Sequence, residues 1–285
     1  MGEQSLAIAL GLISALTLAL ANMAVKRGHD ILVARAILSG SAAVVIAPFA
    51  LIVPFPDSAT WAALAWSVPA HFAYQLCLIR AMQRGDLSLV FPIMRGVAPL
   101  LTAGFAMLVL REHLSVIGWL GLLVATGAVI LFVLPARGVT FAAHPDKVAL
   151  CWAFATAVGI ALYNMADARG VRLAPGPFTY IVWLFMLDAV PITTTALLFR
   201  RRELGRAVRA TWRHGAAAGA LSSISFGSAL YAFSLMEVAK VSALRETSVV
   251  WAALMGNRFL GEGFGARRIV AALMLAAGLV LLQFG

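Results

Sequence analysis

Arg95 and Arg245 stand deep inside long apolar stretches, where a guanidinium costs at least about 2.5–3.5 kcal/mol unless it faces protein, water or a partner. Such a group has two chemical uses. Its planar fork can hold a carboxylate or phosphate oxygen bidentately, or it can pair with an internal acid and tie helices together. Asp188, beside Pro191, and Glu246, one helical turn from Ser242, are the acids in comparable positions. Each could be a counter-ion for an arginine, and each could carry a proton, because low dielectric favours the neutral form of a carboxyl group that lacks a partner. Asp188 is the better proton carrier of the two, since Glu246 adjoins Arg245.

A looser polar set shares these stretches: His71, Tyr74 and Gln75, with Tyr163, Asn164 and Tyr231, and Asn22 and Ser242 join it as candidate solute contacts. These side chains suit hydrogen bonding to a polar solute, and their alternative use is to bond one another across helix contacts. On a helix, Pro92, Arg95, Gly96 and Pro99 share one face, kinked and lined by small residues, and Ser242, Arg245 and Glu246 form the matching face. No spacing of His, Cys, Asp and Glu fits a metal, and no nucleophile elbow or phosphate-cradling loop is present. The sequence therefore predicts neither an enzyme nor a resident metal or cofactor.

The elements that position these groups follow from composition. Of 285 residues, 62% are hydrophobic and 12% charged, against about 45–50% and about 25% in ordinary soluble domains. That leaves too little polar surface for a water-facing globule. The apolar runs predict an all-α integral membrane protein of ten transmembrane helices, near 5–25, 31–53, 61–81, 87–110, 115–134, 147–167, 177–199, 215–236, 239–260 and 266–284. The N-terminal run has Glu3 and no Lys or Arg in its flank, which reads as a retained span and not as a cleaved signal. The net charge of +10 is spread over short breaks instead of one basic face, which argues against nucleic acid as a partner. Fifteen Lys and Arg fall in the odd-numbered breaks and four in the even-numbered breaks and termini. This asymmetry places both termini away from the cytoplasm, in the periplasm for a bacterial inner-membrane protein. The run Arg200 to Arg213 reads as a solvated cytoplasmic anchor beside anionic lipid.

Self-similarity organises the whole chain. Residues 18–28, LALANMAVKRG, match residues 160–170, IALYNMADARG, at seven of eleven positions, Asn22/Asn164 and Arg27/Arg169 among them. A second offset sets Arg95 over Arg245 and Glu112 over Glu262. Two five-helix repeats, 1–138 and 139–285, are expected, and an odd number of spans per unit inverts the second copy in the membrane. Equivalent arginines on inverted helices would meet at one central cavity; the competing arrangement is a salt bridge to Asp188 or Glu246. The loop acids Glu112 and Glu262 are read as structural, capping or orienting the next helix. Gly215-x-x-x-Gly219, Gly118, Gly121 and Ala125 let helices approach closely, within the chain first, with a homodimer contact as the other use of such a face.

The stretch GDLSLVFPIMRGVAPLLTAGFAMLVLREHLSVIGWLGLLVATGAVIL resembles the EamA-type repeat of the drug/metabolite transporter superfamily, with Pro99, Glu112 and the glycines Gly118, Gly121 and Gly127. Its second copy keeps Glu262 and Gly278 and has Val249 in place of Pro99. The resemblance implies a carrier of small solutes, in a superfamily that spans exporters of amino acids, metabolites and drugs and carriers of sugars and nucleotide sugars. In its small multidrug members a first-helix Glu binds cation and proton; the first span here has no acid after Glu3. Taken together, the residues and the resemblance predict a secondary transporter, an exporter, for a small anionic or zwitterionic metabolite. The alternative is a membrane scaffold or an intramembrane lipid-modifying enzyme.

Overall fold

The structure, a computed structural model, describes residues 2–25, 30–84, 87–133, 147–260 and 265–284, with side chains described for all of these except 22–25, 87–92, 133 and 256–260. Asn22, Pro92, Glu262 and the expected boundary between halves at 138 lie outside the described side chains or residues. The described chain is helical and contains no strand. Helices run as α1 (Glu3–Val25), α2 (Ile31–Ile46), α3 (Ser58–Arg84), α4 (Leu87–Phe105), α5 (Val116–Val133), α6 (Lys147–Leu173), α7 (Pro177–Phe199), α8 (Arg201–Leu235), α9 (Val238–Arg245), α10 (Ser248–Leu260) and α11 (Ala266–Phe284). Among the described residues, seven helical runs are long and apolar enough to cross a bilayer, one of which, Pro177–Leu235, contains both α7 and α8. The protein is thus a multi-pass membrane protein. Its outer surface carries exposed Leu108, Leu198, Leu273 and Phe284, residues that suit hydrocarbon and not water.

Local chemistry sets the ends of these helices. Asp30 accepts a hydrogen bond from the Val33 amide at 3.2 Å and so caps α2. Asp57 accepts from the Thr60 amide at 2.8 Å and the Thr60 hydroxyl at 2.6 Å, satisfying a donor at the start of α3. The Thr60 hydroxyl and amide hold the Asp57 carboxyl below the usual carboxylate range. Pro177 opens α7, where its missing N–H is no loss. Helix α4 widens into a π-helical turn at Ala106–Leu110 and stops at Arg111, whose φ of 57° puts it in the left-handed region.

Three boundaries differ from the sequence expectation, each for a physical reason. The basic run after Arg200 was expected as a loop and is helical, because Leu204 on its inner face packs with Val33, Ala36 and Ala196. A kink at Thr211, with φ −129° and ψ 17°, separates it from the rest of α8. Helix α6 continues to Leu173, beyond the expected end at 167. The expected continuous stretch 239–260 is broken between α9 and α10, where Glu246, Thr247, Val249 and Val250 amides bond to carbonyls three residues back. Short i→i+3 bonding of this kind tightens the backbone and often marks a functional hinge.

Helix pairing repeats across the halves. Contacts of α1 with α8 have their counterpart in α3 with α6, those of α2 with α8 in α3 with α7, and those of α4 with α6 in α1 with α9 and α10. The remaining large contacts, α5 with α11 and α2 with α7, join equivalent helices. This exchange is what a two-repeat layout produces. At the α5–α11 crossing, a Cβ on Gly121 would stand 2.5 Å from the Leu282 amide nitrogen and 2.6 Å from the Gly278 carbonyl oxygen, so only glycine lets these backbones meet. Gly215 and Gly219 are likewise covered within the chain, by Ile37 and Ser41 of α2.

Candidate functional site

A cavity of about 120 Å³ lies between the halves, bordered by residues of α1, α2, α3, α6, α7, α8 and α9. Its polar lining comes from Arg35, His71, Tyr74, Tyr163, Asp188 and Arg245, with Ser39, Ser222 and Ser225 also on the wall. Two guanidinium groups and one carboxylate therefore border a single space. Arg245 stacks over the Phe226 ring, its Cζ 5.1 Å from the centroid, and its Nε has no hydrogen-bond acceptor among the described residues. No ion pair is made by Arg245 among them either. A buried donor with nothing to donate to is costly, and an oxyanion in the cavity would satisfy it.

Across the cavity a chain of polar contacts links α2, α3, α6 and α7. Arg35 Nε donates to Gln75 Oε1 at 3.3 Å, and Gln75 Nε2 donates to Asp188 at 3.4 Å. His71 stands between two carboxylates, with Nε2 2.8 Å from Asp167 Oδ2 and Nδ1 4.0 Å from Asp188 Oδ1. The His71 ring stacks on Tyr163 at a centroid distance of 4.2 Å. Asp167 is fully buried and also accepts from the Ser67 hydroxyl and from the Tyr180 hydroxyl at 2.9 Å. Gly170, one turn along α6, leaves the space that the Tyr180 ring occupies, so the hydroxyl can reach this acid. Among the described residues, no group of three His, Cys, Asp or Glu side chains is arranged to hold a metal.

Comparison with known families now has a geometry to refer to. The family model described as "EamA-like transporter family" matches residues 3–134 and again 147–284. The chain belongs to the EamA-like transporter family. A comparison with curated proteins gave no match. Among solved structures, one described only as "Crystal structure of protein" superposes with a TM-score of 0.79 over 97% of this chain and 96% of its own, at 18% identity, which shows a shared fold.

Within this EamA-like fold the expected site residues fall into separate groups. Arg245, His71, Tyr163 and Asp188 line the central cavity, and Gln75 is buried behind it, bonded to Asp188 and Arg35. Arg95 and Glu246 do not line it: they pair with each other at 3.2 Å, with Ser248 3.5 Å from Arg95. The structure thus places the duplicated arginines in different surroundings, because Arg245 and Glu246 are neighbours at the α9 break and point in different directions. Ser242 is buried on α9, and Asn164 donates to the Thr102 hydroxyl at 3.3 Å, joining α6 to α4.

Two charged groups at the site, Arg35 and Asp167, are not singled out by the sequence, and neither are the wall residues Ser39, Ser222 and Ser225. Arg35 lies only five residues into α2, and Asp167 falls at the end of the apolar run expected to span, where an acid is inexpensive. A signal for Asp167 existed: it is the charged residue in the second copy where the first has Val25. Glu112, expected to orient the following helix, instead reaches the other half. Its Oε2 accepts from the Val238 amide at 2.9 Å, at the start of α9, and it pairs with Arg172 at 2.8 Å. Arg172 also donates to the carbonyls of Phe233 and Met236 at the end of α8.

Proposed function

We propose that this EamA-like protein is a secondary carrier that moves a small anionic or zwitterionic metabolite by alternating access. In this reading it has ten spans as two inverted five-helix halves, the broken pair α9–α10 forming the ninth. It resides in a bacterial inner membrane with both termini periplasmic and acts as an exporter. The observation that carries the proposal is the cavity between the halves, where Arg35 and Arg245 face the same space as Asp188. Cations of this kind disfavour a cationic drug and attract a carboxylate or phosphate, while Asp188 offers a partner for an ammonium group. A zwitterion would engage both.

Coupling to a proton gradient is assigned to Asp188. Glu246 is neutralised by Arg95, whereas Asp188 meets the cavity and, among the described residues, has long bonds from Gln75, the distant His71 nitrogen and the charge of Arg35 nearby. Solute-dependent exchange in proteoliposomes, screened with pools of small carboxylates, phosphates and amino acids, tests the proposal. Flux of at least one pool component above empty liposomes is expected. No flux with any pool would favour the scaffold or intramembrane-enzyme reading instead.

A further inference from the structure

A second space opens on the outer flank of the molecule, away from the central cavity. It is a groove of about 420 Å³ between α3 and α6, lined by Ala59, Ala62, Ala63 and Trp66 on one side and Met165, Ala166, Arg169 and Leu173 on the other, with Val109 of the π-helical turn at its edge. The start of α3 and the end of α6 thus lie side by side, which puts them at one membrane boundary if both helices span it. Arg169 sits one turn before the end of α6, and the trough runs from Ala59 to Trp66 along α3, a rise of about 10 Å away from the helix start. Among the described residues, the lining side chains other than Arg169 are apolar.

Arg169 is exposed and makes no hydrogen bond or ion pair among the described residues. Its neighbour one turn on, Arg172, is fully engaged with Glu112 and two carbonyls. An apolar trough in a membrane does not hold water in preference to chain. A guanidinium at its interfacial end, in turn, matches a phosphate oxyanion bidentately. We propose that this groove is a binding site for an anionic phospholipid, its phosphate on Arg169 and one acyl chain laid along the alanines of α3 toward Trp66. The site is independent of what the central cavity carries.

Native mass spectrometry of the purified full chain, titrated with phosphatidylglycerol or phosphatidylcholine, tests the assignment. Wild type should hold phosphatidylglycerol about tenfold more tightly than phosphatidylcholine, a difference of about 1.4 kcal/mol. Arg169→Gln, a change at an exposed position, should bring the two lipids to equal affinity. Ala62→Phe, also at an exposed position, should fill the trough and weaken both lipids while leaving Arg169 in place. Inorganic phosphate in excess should leave the bound lipid unaffected. A retained preference in Arg169→Gln, wild-type binding by Ala62→Phe, or displacement of the lipid by free phosphate would each overturn the proposal.

Discussion

At Asp188, an acid faces a cavity bordered by two guanidinium groups and has weak partners of its own. Removing its charge while keeping its shape separates coupling from binding. Asp188→Asn should abolish accumulation driven by a pH gradient in proteoliposomes and spare solute counterflow, whereas Glu246→Gln should lower thermal stability by breaking the pair with Arg95. Normal pH-driven accumulation in Asp188→Asn would move the coupling elsewhere, with the His71–Asp167 pair next in line. Much of this residue-level picture was legible: the mid-span Arg245, Asp188, His71 and Tyr163 drew notice because polar groups are expensive in hydrocarbon. Whether a given arginine meets a cavity or an acid was not legible. The sequence offset sets Arg95 over Arg245, yet in the structure Arg95 meets Glu246 whereas Arg245 borders the cavity.

The helices themselves were legible as apolar runs, and their extents were less so. A run of hydrophobicity marks where a chain can cross a bilayer but not where the backbone hydrogen bonds continue, so α6 outruns its expected end and carries Asp167 inside the fold. The π-helical turn before Arg111 has no mark in the apolar pattern, and neither has the break at Glu246, where the carboxylate pairs with Arg95 of α4. Close helix approach was better signalled, since small residues permit it and glycine permits the closest. Gly121 on α5 tests this directly. A Cβ there would meet the α11 backbone, so Gly121→Ala should destabilise the protein by about 1–3 kcal/mol, as overpacking of a tight contact does. Gly127 on the same helix has open space where its Cβ would stand, and Gly127→Ala should leave the melting temperature unchanged or slightly raised. Equal losses in both variants would mean that α5 is sensitive to glycine replacement generally and not at the crossing.

For the whole molecule, duplication is the feature that organises both fold and site. Helices exchange partners between halves, and the cavity forms where α1, α2 and α3 of the first half meet α6, α7, α8 and α9 of the second. In the orientation proposed from the Lys and Arg asymmetry, a C-terminal reporter that fluoresces only in the cytoplasm should stay dark in bacterial cells. A bright signal would invert the topology without altering the helices. In the proposed mechanism, solute binds at Arg245 in this cavity and Arg95 serves the scaffold. Affinity and melting temperature should be measured together on purified Arg245→Lys and Arg95→Lys, using the solute found in the exchange screen. Binding should be about tenfold weaker in Arg245→Lys, roughly 1.4 kcal/mol, with the melting temperature little changed. Arg95→Lys should have a lower melting temperature with affinity intact. Unchanged affinity in a folded Arg245→Lys protein would contradict the claim.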